Sequence, residues 1–439
     1  MSAEALPTDH DAVLDAPCPR GGRSDAAARD LGISWLACRE CGREHAVSPR
    51  HVCDFCFGPL EVVYNYGAIA ASLSRASIAA GPPSIWRYGK LLPSPRARVD
   101  LGAGWTPLRP APRLAAELGL KRLWIKNDSL NPTNSFKDRV VSVALSAARY
   151  FGYDTVACAS TGNLANSVAA HAAAAGLRSI VFIPKDLERG KVVATAAFGG
   201  DVIAVDGSYD DVNRLCSELA EAYRWAFVNV NVRPFYAEGS KTLAFEVVEQ
   251  LGWRTPDAIV APVASGSLLT KVARGLKELH LTGLIEDPPA TAVHGAQAAG
   301  CAPVAAAFDA GADDVTPVKP QTVARSLAIG SPADGHYAIR ASRESGGRIA
   351  SVPEASVREG IELLAATEGI FTESAGGVTI ATLARLVQEG AIARDHETVA
   401  LVTGHGLKTL EALGEKGPTH FVAGSLHAVE EALGKEKVT

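Results

Sequence analysis

The sequence has no long apolar run and almost no excess of either charge. No stretch approaches the roughly 20 uninterrupted apolar residues a membrane span needs. The Ala-rich run at 168–175 is much shorter and contains His171. The first thirty residues carry Asp, Arg, Gly and Ala but no apolar segment of signal-peptide length, so a secretory signal is not expected. Lys and Arg total 43 against 48 Asp and Glu, a formal charge of -5. That balance offers no electrostatic argument for nucleic acid or an anionic membrane as partner. There is no internal repeat of the length that marks a solenoid. The cysteines do not form a disulfide framework either. Cys18, Cys158, Cys216 and Cys301 are scattered, and only Cys38, Cys41, Cys53 and Cys56 come as close pairs. Isolated thiols plus one paired set point to a reducing, cytoplasmic compartment.

What remains is a 439-residue chain, 47% hydrophobic, long enough for two or three domains and suited to small-molecule chemistry. Residues 1–30 read as a flexible tail of small and charged residues. Residues 31–66 read as a small module. Its two Cys-x-x-Cys turns are eleven residues apart, and EVVYNY at 61–66 reads as a strand. A Pro-rich connector follows. Beyond it, short apolar runs at 123–125, 155–159, 179–183, 202–205, 226–230, 258–263, 291–295 and 398–402 alternate with helical patterns. The helical patterns lie at 140–150, 164–175, 191–198, 211–222 and 242–251. This alternation predicts an α/β fold with mostly parallel sheets, whose ligands sit where strands end and helices begin.

Cys38, Cys41, Cys53 and Cys56 offer four thiolates in the two-residue spacing that lets both sulfurs of a pair face one ion, which predicts a zinc site. A closed four-cysteine site is ordinarily a structural staple for a module too small to hold a core. A nucleic-acid ribbon, suggested by Arg39, Arg43, Arg50 and His51, is the weaker reading in an acidic chain.

Four strand-to-helix junctions carry the candidate chemistry. Residues 127–139 read NDSLNPTNSFKDR, placing Lys137 at a helix start. The dipole there and partial burial would lower its pKa and favour a nucleophilic neutral amine. Locally, a solvated surface lysine is the commoner outcome. Ser160-Thr161-Gly162-Asn163 forms either a carboxylate or phosphate cradle or simply a capped helix. Ala264-Ser265-Gly266-Ser267 repeats the arrangement with residues small enough for close approach to a phosphate. Thr403-Gly404-His405-Gly406 ends the last strand. His405, between glycines in a turn, reads as structural rather than as an acid or base.

In this order, SFKDR at 135–139, STGN at 160–163, EGSKTLAFE at 238–246, ASGS at 264–267, AIGSPADG at 328–335 and TGHGLK at 403–408 resemble the threonine synthase family. That family lies within the tryptophan-synthase-β-like, fold type II pyridoxal-phosphate enzymes. The resemblance covers the chain from about residue 105 onward. The cysteine segment before GWTPL at 104–108 is similar too.

The resemblance implies two parallel-sheet domains behind a zinc-ribbon-like module: a large cofactor domain at 67–149 and 241–439, and a small one at 150–240. Lys137 would hold pyridoxal 5'-phosphate as a Schiff base and move protons. Asn163 would bond the ring oxygen, Ala264 to Ser267 the cofactor phosphate, and Thr403 the pyridine nitrogen. Ser160, Thr161 and Gly162 would hold the substrate carboxylate. The implied reaction converts O-phosphohomoserine and water to threonine and phosphate. A second phosphate site is then needed, and Lys241 and Arg233 are its cationic candidates. This chain departs from the family at 229–237, where NVNVRPFYA leaves Arg233 or Tyr236 in place of an expected arginine. Rival readings within the fold are a phosphoserine-using, cysteate-synthase-like enzyme and a serine/threonine dehydratase. A third reading is a zinc-ribbon protein whose enzyme-like body only binds partners. A homodimer is the expected assembly.

Overall fold

A computed structural model describes residues 26–160, 162–207, 209–414 and 417–433. Most of the expected tail, Cys18 and Thr161 therefore lie outside the described residues.

The cysteine module is a three-stranded antiparallel sheet, ordered β2 (Glu44–His45), β1 (Trp35–Cys38), β3 (Leu60–Val63). Trp35 pairs with Val63 and Cys38 with Leu60. β3 stops earlier than the apolar run in the sequence suggests. Asn65 turns the chain by accepting a hydrogen bond from the Ala68 amide at 3.0 Å, capping the helix Tyr66–Ala70. The Pro-rich connector holds a 3-10 segment, Ile85–Leu91, that buries Ile85, Trp86 and Tyr88.

The main body contains two parallel-sheet domains. The larger sheet runs β12 (Ile349–Val352), β11 (Ala292–Ala298), β10 (Ala258–Pro262), β13 (Glu397–Val402), β5 (Arg122–Asn127), β4 (Leu108–Pro110). Only β4 is antiparallel. It ends on Pro110, which has no N–H to donate and suits an edge. β10 and β13 lie at the centre and are buried at every position, as continuous apolar runs in a covered parallel sheet should be. The smaller sheet runs β8 (Asp201–Val205), β7 (Arg178–Pro184), β6 (Thr155–Ala159), β9 (Ala226–Phe227), all parallel. β9 is shorter than the expected strand at 226–230. The Val230 amide bonds back to Phe227 at 3.0 Å, turning the chain into the helix Arg233–Glu238.

Two helices, Glu354–Glu368 and Ser374–Gln388, pack on each other beside the large sheet. Their contact needs glycine. A Cβ on Gly360 would strike the Gly377 carbonyl, and one on Gly377 would strike that of Val357. Just before the second helix, the Glu373 amide donates to the Gly404 carbonyl at 3.0 Å, beyond the end of β13.

Candidate active site

The loop after β5 is stitched to the end of β13. The Phe136 amide donates to the Thr403 carbonyl at 2.9 Å and the His405 amide to the Asn134 carbonyl at 3.0 Å. These bonds set Lys137, first residue of the helix Lys137–Tyr150, beside Thr403. The motif SFKDR then divides by direction. Lys137 faces a pocket of about 210 Å³, while Asp138 and Arg139 face the core. Asp138 accepts from the Thr133 amide and hydroxyl, both at 2.7 Å, and from the Ser167 hydroxyl at 2.6 Å. Arg139 is fully buried between Asp128 and Glu246.

Lys137 Nζ donates to the Tyr236 hydroxyl at 3.0 Å. Burial lowers its pKa to about 8, although the Glu373 carboxylate pulls it back up. A neutral amine is therefore accessible near neutral pH, which is what imine formation with an aldehyde needs.

The pocket is lined by the ends of both parallel sheets. Ser160, Asn163, Arg233, Ala264, Ser265, Ser267 and Thr403 all line it with Lys137. The Ser160 hydroxyl oxygen accepts from the amides of Gly162 and Ala165 at 2.9 and 2.8 Å, which shapes the turn. Gly162 has φ 121° and lies against the Lys191 side chain, where a Cβ would not fit. Gly266, at φ 98°, starts the helix Ser267–Leu281 and lies against the Asp334 carbonyl. A helix start with a glycine and two serines presents amides and hydroxyls to an anion. Asn163 donates to both Glu373 oxygens at 2.8 and 2.9 Å, and its own Oδ1 is buried without a partner. Asn229 Oδ1 and Ser326 Oγ, also at the pocket, are buried without partners too. The donor set fits pyridoxal phosphate: an amine for the aldehyde, a helix-start cradle for the phosphate, and polar atoms awaiting partners between them.

Two sequence candidates for the substrate phosphate separate here. Arg233 lines the pocket, paired with Asp334 at 2.6 Å. Lys241 does not line it. Its ammonium is fully buried between Glu238 at 2.6 Å and Glu278 at 2.8 Å. Lys271, Arg274 and Glu61 extend the cluster, and Arg39 reaches Glu61 from its edge at 3.8 Å. Lys241 has no spare charge for a ligand.

Three groups at or near the site were not singled out from sequence. Glu373 sits at a helix start and reads as a cap. Asp334 meets its partners only through the fold. Lys408, within the quoted TGHGLK, does not line the pocket but is a second amine nearby, half-buried and lowered to about 8 by desolvation. Its Nζ donates to Asn166 Oδ1 at 3.1 Å.

The four cysteine sulfurs lie within 4.8 Å of one another. Cys38 and Cys56 are 3.4 Å apart and Cys41 and Cys53 are 3.8 Å apart. Tetrahedral zinc with bonds of about 2.3 Å needs sulfurs about 3.8 Å apart. The amides of Glu40 and Phe55 donate to Cys38 and Cys53 at 3.4 Å, stabilising thiolate charge. The cluster fits one metal ion.

Residues 99–404 match the family model described as pyridoxal-phosphate dependent enzyme. Threonine synthase of Methanosarcina acetivorans is 36% identical over 92% of this chain and 99% of its own length. That of Methanocaldococcus jannaschii is 38% identical over 85% and 93%. Among solved structures, diaminopropionate ammonia lyase from Escherichia coli superposes with a TM-score of 0.62 at 20% identity. It covers 72% of this chain and 89% of that one. Threonine deaminase isoform 2 from Solanum lycopersicum gives 0.58 at 22%, over 68% and 79%. At those identities the structures speak for the fold alone.

Proposed function

This chain belongs to the threonine synthase family of pyridoxal-phosphate-dependent enzymes, and from that premise we propose that it converts O-phosphohomoserine and water to L-threonine and phosphate. The observation that carries the reading is Lys137: a depressed, pocket-facing amine where two parallel sheets meet.

Bound there, the cofactor withdraws electrons from the substrate's α-carbon and acidifies its proton. The residues of the chain do the rest. Lys137, held by Tyr236 and freed when substrate binds, takes the α proton and moves protons at the β carbon. On the family resemblance Asn163 would face the ring oxygen, the Ala264–Ser267 turn would hold the cofactor phosphate, and Thr403 the pyridine nitrogen. A neutral hydroxyl at that nitrogen does not force it to stay protonated. The Ser160 hydroxyl, with Thr161 and Gly162, holds the substrate carboxylate, and its own proton is free to donate. Arg233 takes the substrate phosphate, which departs from the γ carbon. That carbon gains a proton to become the methyl group, the hydroxyl of water replaces the proton removed at the β carbon, and the α carbon regains its proton. The four cysteines hold a structural zinc ion.

The test is direct. Purified, cofactor-loaded protein is given O-phosphohomoserine, or O-phosphoserine with sulfite, and phosphate and amino-acid products are followed. Threonine with equimolar phosphate from the first substrate is expected. Turnover of phosphoserine alone would move the protein to the cysteate-synthase-like reading. Phosphate from neither would overturn both.

A further inference from the structure

Arg39 lies between two metal-binding cysteines, yet its guanidinium reaches the substrate pocket's own ion pair. It stacks 3.4 Å from the centroid of the Tyr337 ring. Its Nη1 contacts Asp334 Oδ1 at 3.3 Å. The other oxygen of Asp334 takes Arg233 at 2.6 Å. Asp334 is 4% exposed, so this triad sits largely out of water. The Asp334 amide also donates to the Ser265 carbonyl at 2.8 Å, tying the same residue to the turn assigned to the cofactor phosphate.

We propose that Arg39 is a positioning residue for the substrate phosphate, acting through Asp334 on Arg233; this rests on the assignment of Arg233 above. Two effects point the same way. Arg39 pins one carboxylate oxygen, so Asp334 can hold Arg233 in only one orientation. Arg39 also brings charge, shared between Asp334 at 3.3 Å and Glu61 at 3.8 Å, so its loss leaves Asp334 to Arg233 alone. The knuckle holds Arg39 in register, because its amide donates to the Pro59 carbonyl at 3.0 Å across the module. The cysteine module thereby gains a role in substrate recognition beyond holding itself together.

The experiment compares Arg39→Ala, Arg39→Gln, Arg233→Ala, the double variant Arg39→Ala with Arg233→Ala, and a control, Arg43→Ala. Arg43 sits on the same module with a half-exposed side chain 4.0 Å from Asp54. Arg39→Gln keeps a planar group over Tyr337 and serves if the alanine variant folds poorly. Loss of Arg39 should raise KM for O-phosphohomoserine and the inhibition constant of inorganic phosphate together, about 3- to 10-fold. kcat should stay within about twofold, and the cofactor's visible band should be unchanged. Arg43→Ala should match the parent, and Arg39→Ala should add nothing in the Arg233→Ala background. If Arg233→Ala raises both constants while neither Arg39 variant does, the relay is wrong and the Arg233 assignment stands. If Arg233→Ala itself changes neither, the assignment falls and takes the relay with it. An equal effect from Arg43→Ala would mean the module acts only through its stability, which also overturns the proposal.

Discussion

Lys137 shows what a residue needs besides its identity. In sequence it is a charged residue beside Asp and Arg, and only the motif set around it separates it from a surface lysine. In the structure its two neighbours turn into the core. Asp138 is spent on Thr133 and Ser167, and Arg139 on Asp128 and Glu246, which leaves the amine facing the pocket. Its lowered pKa has a pH signature. Only the neutral amine captures the cofactor aldehyde. In cofactor-free protein the capture rate should therefore rise about tenfold per pH unit below the pKa and level off above about 8. An ordinary lysine near 10.4 would keep the rate rising well past that. Stopped-flow absorbance of cofactor binding between pH 6 and 10 reads this, and a rate still climbing at pH 10 would contradict the depressed amine. The same shift acts on stability. The folded protein releases this proton at lower pH than the unfolded chain, so it binds fewer protons in the window between about 8 and 10.4 and gains stability as pH rises through it.

At the scale of elements, the strand-to-helix junctions were legible because each is local: an apolar run, then Gly, Ser, Thr or Asn, then an Ala- or Leu-rich helix. Strand ends were less legible where a side chain or turn intervened, as Asn65 does after β3 and Val230 after β9. β1, β2, β4 and β12 were not anticipated. Each has four residues or fewer, too short for a period to register. Lys241 went astray for a different reason. Glu238, three residues earlier, was a visible partner in EGSK, but Glu278 joins only because the helix Ser267–Leu281 packs on the helix Lys241–Gln250. Lys241→Met would take a buried cation from both Glu238 and Glu278 and should cost about 3–5 kcal/mol, read as a lower denaturation midpoint. A variant with the parental midpoint and a raised KM for the phosphorylated substrate would return Lys241 to the pocket. The same cluster holds Glu238 near 2: burial raises its pKa, but Lys241 and Lys271 pull it down further. Its contribution is present above the ordinary carboxylate range and is lost as pH falls toward 2.

The molecule as a whole assembles one pocket from residues that span the chain, Lys137 near one end of the run and Thr403 near the other. That is why motif order was informative and pairwise contacts were not. Glu373 meets Asn163 across 210 positions and Arg39 meets Asp334 across 295, distances over which no local pattern speaks. Because both sheets and the helix starts between them form its walls, the cofactor should stabilise the two parallel-sheet domains together. The whole arrangement converges on one covalent attachment. Lys408, a second depressed amine that lies outside the pocket lining, is the rival. Reducing the cofactor-loaded protein with borohydride and mapping the labelled peptide decides between them. The label is predicted on Lys137, in the tryptic fragment beginning after Lys126, with none on Lys408. Label on Lys408, or an unlabelled Lys137, would contradict the account.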